Sequence, residues 1–260
     1  MEPANRVPAA TPEPVATPEP VATLKPAATP AEPRQRWRIR FRRRPDAPPL
    51  PQREQIAAWE AALAVSGLPL AGPELPVPRP RIVFAAPLGV GLPAEGELVD
   101  LFLVDRRTVA EVRARLAGSL PAGHELVDVH DVWLGEPPLS GRVVAADYRV
   151  ELVASPEALS GAVLTEACGR LLGATSLPRT RDKGGRSIAY DLRPLLAGIE
   201  VLPATWDGPP GLRVRTRFDP ERGVGRPDEV IAALSEIVGA PLEAAGIVRE
   251  RLILAGDEDD

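Results

Sequence analysis

Apolar and polar residues alternate with a period of two at several places along this chain, separated by stretches with a period near 3.6. In the first such segment Trp37, Ile39 and Phe41 alternate with Arg36, Arg38, Arg40 and Arg42, which predicts a strand over 36–43. One edge of that strand should enter a core while the other holds a row of cations. A helix is predicted at about 52–65, with Ile56, Trp59 and Leu63 on one face and Gly67 placed to stop it. Strands follow at 81–86 and 97–104. Thr108, with Glu111 three residues on, has the spacing of a capping box, and Val109, Val112 and Leu116 form the apolar stripe of the helix it opens. A further strand covers about 125–134. Strand, helix, strand, strand, helix, strand is the order of a ferredoxin-like βαββαβ unit.

After a linker at 135–144, broken by Pro137 and Pro138, the same order returns. Tyr148, Val150 and Leu152 mark a strand. Ser155 and Pro156 have the chemistry of a cap and first residue for a helix running to about Leu172, although Gly161 and Gly169 weaken it. Two segments, 177–183 and 186–192, flank Gly184 and Gly185 as a hairpin, and a strand is predicted at 199–202. Leu212, Val214 and Phe218 then alternate with Arg213, Arg215 and Arg217. A helix begins near Pro227 with Val230, Leu234, Ile237 and Val238 inward, and a strand closes the series at 247–254. The expected fold is α+β, with tandem ferredoxin-like units at 34–135 and 145–256, the second carrying the hairpin as an insertion. Residues 1–33 repeat TPEPVA at 11–16 and 17–22 and are rich in proline, so they are expected to form a disordered tether. The end, 257–260, reads as a solvated acidic tail.

Composition narrows the picture. With 260 residues, 44% of them hydrophobic, the chain can fill one large or two ordinary cores. No apolar run approaches the roughly 20 residues of a membrane helix, and the start lacks a signal-peptide pattern, so a soluble cytoplasmic protein without membrane contact is expected. Cys168 is the one cysteine, which leaves no internal disulfide and suits a small buried side chain. The net charge is -5, but the two tails hold eight acids and two bases, leaving 29 basic against 28 acidic groups at 34–256. A body so nearly neutral argues against strong non-specific DNA binding and makes any anion site local.

Guanidinium groups gather at three places: Arg36, Arg38, Arg40 and Arg42 on the first strand; Arg79 and Arg81 either side of Pro80; and Arg179, Arg181, Lys183 and Arg186 around the glycine turn. Each suits a phosphate, because guanidinium geometry permits paired contacts. Each also suits a solvated face with cross-strand ion pairs, as Asp147 and Glu151 beside Arg149 suggest. Base stacking on the first sheet is disfavoured, since Trp37 and Phe41 point away from the arginine row. Arg193 near Asp191 reads as a structural ion pair, and Asp228 and Glu229 as dipole-compensating acids in a helix's first turn. His124 and His130 lack further imidazoles or thiols at ligand spacing, so no metal set is expected. His130, flanked by Asp128 and Asp131, has the makings of a general base, yet no nucleophile is placed beside it and no catalytic set is assigned. Gly89 and Gly91 lack the rest of a phosphate loop and read as turn formers.

Several segments taken together are similar to the radical-SAM-linked protein family: PRPRIVFAAPL at 78–88 with Gly91 and ELVD at 97–100, ADYRVEL at 146–152, DLRP at 191–194, and RPDEV at 226–230 with Ala233 and Leu234. The resemblance covers about residues 36–254. It departs at 73–78, where the family carries serine, glycine, phenylalanine and asparagine, and at 49–52, the often histidine-bearing start of the family's first helix. The resemblance implies an accessory role in RNA modification or processing, with tRNA the foremost substrate and a radical SAM enzyme as a partner in trans. No cofactor is assigned to this chain, because a radical SAM cluster needs three cysteines. The expectation is a non-catalytic module that binds or presents RNA through local arginine clusters. A stand-alone ribonuclease using His130, or a protein scaffold without nucleic-acid contact, are the alternatives.

Overall fold

The computed structural model describes residues 31–73, 79–155, 158, 160–202 and 210–257. The expected tether at 1–33 and acidic end at 257–260 therefore lie largely outside the described residues, as do 74–78 within the departure at 73–78. The fold is α+β: eleven strands and four helices among the described residues. In the first half β1 (Gln35–Arg43) leads through α1 (Gln52–Ala64) to β2 (Ile82–Phe84) and β3 (Ala94–Leu103), then through α2 (Val109–Ala117) to β4 (His124–Val132). In the second half β5 (Val143–Val153) leads through α3 (Gly161–Gly173) to a hairpin of β6 (Pro178–Lys183) and β7 (Arg186–Asp191). The chain continues through β8 (Leu196–Leu202), β9 (Gly211–Asp219), the short β10 (Gly223–Val224), α4 (Pro227–Val238) and β11 (Glu243–Leu254).

Nine of the strands form one sheet, with the path β10-β9-β5-β11-β3-β1-β4, β2 on β3 and β8 on β9. Each half has its strands in the spatial order fourth, first, third, second, all antiparallel: β4-β1-β3-β2 and β11-β5-β9-β8. Where two separate units were expected, the halves share the sheet. The join is parallel and short, Arg249 of β11 lying opposite Ala94 of β3, with the Arg249 amide donating to the Pro93 carbonyl at 3.0 Å.

Local chemistry explains the helices. Thr108 accepts from the Glu111 amide, and the Glu111 carboxylate accepts from the Thr108 amide at 2.8 Å, so the predicted capping box is formed. Gly239, with φ 73°, ends α4 in the left-handed region that glycine enters without strain. The start of α3 differs from expectation. Ser155 spends its hydroxyl on the Ala158 amide in a local turn, and Ser160 caps the helix by accepting from Val163. At its other end Arg193 donates to the Leu172 carbonyl (2.7 and 3.0 Å) and to Ala174 (3.1 Å), closing orphan helix carbonyls. Its expected ion pair with Asp191 is replaced by that cap, while the Asp191 carboxylate accepts from the Leu177 and Arg193 amides.

Packing puts the helices on opposite faces of the sheet. Trp37, Ile39 and Phe41 join Val99, Leu101, Trp59, Leu63, Val112 and Leu116 in a core beneath α1 and α2. Val150 and Leu152 join residues of α3 and α4 in a second core. Tyr148 and Ala146, on the same side of β5 as Val150, pack with Leu98, the neighbour of Val99 that faces the other way, and with Leu139 from a short 3-10 turn of the linker. Burial of Cys168 in α3 pushes its thiol up to about 11. No helix among the described residues is long and apolar enough to cross a membrane.

Candidate nucleic-acid interface

The three predicted arginine clusters meet different fates. On β1, Arg36 and Arg38 face away from the helices as the alternation requires, but they are 2% and 5% exposed instead of solvated. The physical cause is the linker between the halves, which crosses that face. Asp100, fully buried on β3, lies between them: Arg36 reaches it from Nε at 2.8 Å and Nη2 at 2.5 Å, and Arg38 from Nε at 2.9 Å. Arg36 also donates to the Glu136 and Pro137 carbonyls, and Arg38 to the Glu136 carboxylate at 3.1 Å. Burial works against the Arg38 charge, yet hydrogen bonding and charge attraction to Asp100 and Glu136 together outweigh it and hold the guanidinium above its ordinary range. These two arginines are a structural ion-pair network closed by the linker, with no face open to a phosphate. Farther along the strand, Arg42 is exposed and within 3.4 Å of Glu125, and Arg40 is exposed with no ion pair among the described residues.

Arg79 and Arg81 are both exposed. The Arg81 guanidinium lies over the Phe102 ring, 4.1 Å from its centre, and that of Arg36 is 5.6 Å from it. On β9, Arg213 pairs with Glu250 and Glu200, Arg215 grips Asp147 with two bonds of 2.7 and 2.9 Å, and Arg217 donates to the Pro194 carbonyl. Asp147, buried on β5, also accepts from Arg251 at 2.8 Å. Burial pushes its carboxyl up, and the two guanidinium groups more than reverse this, leaving it below the usual carboxylate range.

The inserted hairpin is built differently. It is a two-stranded sheet of its own, with no ladder to the main sheet. Gly184 and Gly185 turn it with φ of 62° and 75°, which a side-chain-bearing residue adopts only with strain, and Lys183 lies opposite Arg186 across that two-residue loop. Arg179 is tied down, donating to Glu236 of α4 at 3.1 Å and to the Pro178 carbonyl. Arg181 is not. Its guanidinium lies 5.2 Å from the centre of the Tyr190 ring, faces the backbone of Gly223, and keeps a buried Nε without a hydrogen-bond partner. Beside it opens a hollow of about 600 Å³, lined also by Thr175, Asp191, Glu221 and Arg222. Burial, followed by the nearby Glu229 carboxylate, raises the Tyr190 phenol above its ordinary value, so it presents a neutral ring at physiological pH.

Tyr190 and Arg222 were missed in the sequence. One signal was there: Tyr190 is one of two tyrosines, and it falls two residues from Ile188 on the strand facing the Arg179 and Arg181 row. The histidines split as well. His124 is half-buried against Phe41 and Trp59, and that burial lowers its pKa. His130 is exposed on β4 with Nδ1 3.8 Å from the Asp128 carboxylate. Among the described residues no three His, Cys, Asp or Glu side chains converge as a metal set would.

Residues 36–221 match the model of a family, DUF2344, described as an uncharacterized protein conserved in bacteria. No curated protein matches the chain. Among solved structures it is similar to a chain of a Cbf5-Nop10-Gar1 complex, at 11% identity over 82% of this chain and 49% of that one, with a TM-score of 0.44. It is similar also to a chain of an archaeal box H/ACA sRNP Nop10-Cbf5 complex, at 12% identity over 85% and 50%, with a TM-score of 0.40. The chain thus spans about half the length of those it matches, and likeness at these scores supports no inference about ligand or activity.

Proposed function

The chain belongs to that bacterial family, DUF2344, and on that footing we propose that it is a non-catalytic module that holds RNA through the β6–β7 hairpin. The observation that carries this reading is Arg181 laid against Tyr190 at the rim of an open hollow, with no carboxylate ion-paired to its guanidinium among the described residues. An aromatic face beside an unneutralised arginine suits a single strand: the ring stacks a base, and the guanidinium meets the backbone. Lys183 and Arg186, paired in register at the turn, are further candidate contacts, while Arg179 positions the hairpin on α4. Arg79, Arg81, Arg40 and Arg42 are secondary contacts on the same reading, because they are exposed. Arg36 and Arg38 serve the sheet.

The remaining parts of the reading are finer. Each half is a ferredoxin-like unit, bounded near 34–135 and 145–256, an assignment supported by the repeated fourth-first-third-second strand order. The RNA is tRNA, the setting is the cytoplasm, and the partner is a radical SAM enzyme acting in trans, as the motif resemblance suggests. The single Cys168 leaves the cluster chemistry to that partner.

Titration of fluorescently labelled tRNA into the full chain tests the proposal. Wild type should bind, and the Arg181→Ala, Lys183→Ala, Arg186→Ala triple variant should lose at least tenfold in affinity. Equal binding by the triple variant rejects the hairpin site. Cleavage of the RNA in EDTA, lost in His130→Ala, would replace the binding module with a ribonuclease. A chain that binds no RNA yet co-purifies with a radical SAM enzyme would be a scaffold.

A further inference from the structure

A second hollow, of about 570 Å³, lies at the seam of the two halves, between the loop joining β2 to β3 and the start of α4. Its size is that of an ordinary small-molecule site. One wall is the turn bearing Leu88, Val90 and Leu92. Val90, between two glycines, presents an exposed branched apolar side chain to the hollow. The opposite wall is Phe218 with its cross-strand partner Val224. The floor is Ile247 and Tyr148, with Arg249 beneath. That arginine is already spent: Nε and Nη2 reach the Glu97 carboxylate at 2.6 and 2.5 Å, and Nη1 reaches the Pro87 carbonyl at 2.9 Å. The floor is therefore neutral and rigid, fixed by a buried ion pair that ties β11 to β3.

The rim supplies the unspent chemistry. Arg226 and Asp228 flank Pro227, both are exposed, and neither side chain is ion-paired or hydrogen-bonded among the described residues. A carboxylate accepts from N–H donors and a guanidinium takes a phosphate in paired bonds, while a half-buried phenylalanine offers a flat apolar face. One ligand class needs all three together: a planar ring with N–H groups on its edge, joined to a phosphate. We propose that the seam hollow binds a nucleotide, with the base against Phe218, its N–H edge on Asp228 and its phosphate on Arg226. Its lining shares no residue with the hairpin hollow, although the Arg226 charge acts on the Tyr190 phenol.

Calorimetric titration of the full chain with GMP tests the assignment. Wild type should bind, while Arg226→Ala and Asp228→Ala should each weaken binding about tenfold or more. Both residues are exposed, so these variants should fold as wild type. Phe218→Leu, which keeps an apolar side chain in the wall, should weaken GMP as well. The hairpin triple variant should bind GMP as wild type does. Absence of GMP binding, or binding indifferent to Arg226 and Asp228, overturns the assignment. If tRNA binds while GMP does not, the seam site falls and the hairpin reading stands; if GMP binds while tRNA does not, the reverse holds. Where both bind, displacement of labelled tRNA by saturating GMP identifies the ligand as a nucleotide of the RNA strand, and undisturbed tRNA identifies it as a free nucleotide.

Discussion

Strand β1 and the β6–β7 hairpin carry the same sequence signal, basic residues at every second position, yet one becomes an interior and the other an open surface. On β1 the linker lies across Arg36 and Arg38, and Asp100 waits for them on the neighbouring strand. On the hairpin the strands leave the main sheet, and Arg181 meets a tyrosine ring in place of a carboxylate. The difference teaches that an arginine row specifies a need for anions without saying where they come from. Long-range packing decides whether the protein supplies the anion itself or leaves that to a partner.

Substitutions should separate the two regions by what they disturb, and the largest effect belongs to the interior. Asp100→Ala leaves two buried guanidinium groups facing one another, and removal of one partner from a buried pair costs about 3–5 kcal/mol. Chemical denaturation should show that loss as a lower midpoint. A surface role for Arg36 and Arg38 would leave the midpoint in place.

A smaller effect, about 1 kcal/mol, is expected for Thr108→Ala, which removes a cap from α2 without removing an ion pair and so calibrates what an ordinary local loss looks like. Acidity provides a third contrast. The Asp147 carboxyl is lowered in the folded chain, so its contribution is full above about pH 3.9 and disappears as the pH falls through the lower folded value. His124 is also lowered, here by burial; the unfolded chain takes up its proton first, and stability should decline as pH falls below about 6.5. Thermal melts between pH 7 and pH 5 should show this slope, and His124→Phe should flatten it. The smallest effect is expected for the hairpin triple variant, whose denaturation midpoint should correspond to within about 0.5 kcal/mol of wild type.

Features closed within a few residues were legible in the sequence. Thr108 and Glu111 complete their box three residues apart, and the two glycines turn the hairpin where composition placed the turn. The alternation on β1, β5 and β9 also gave the correct inward residues, since burial of Trp37, Ile39, Val150 and Val214 follows from period alone. Features that depend on distant partners were not legible. The Arg36 and Asp100 pair spans 64 positions, and the Arg249 and Glu97 pair 152, so neither is visible without the strand register. Ser155, followed by Pro156, is the stronger local cap signal, yet it is Ser160 that caps α3. At the candidate interface the basic residues could be named from sequence. The ring of Tyr190 and the approach of Arg222 arrive from β7 and the turn after β9, and only the folded chain brings them to Arg181.

The most direct test of the contrast is the salt dependence of tRNA affinity for wild type and the Arg181, Lys183, Arg186 triple alanine variant, measured side by side. Each phosphate contact on a single strand contributes about 0.7 to the slope of log affinity against log salt. If the hairpin cations meet the backbone, the triple variant should bind more weakly and lose up to about 2 from that slope. A slope unchanged by the three substitutions would contradict the account and move the nucleic-acid contact elsewhere on the molecule.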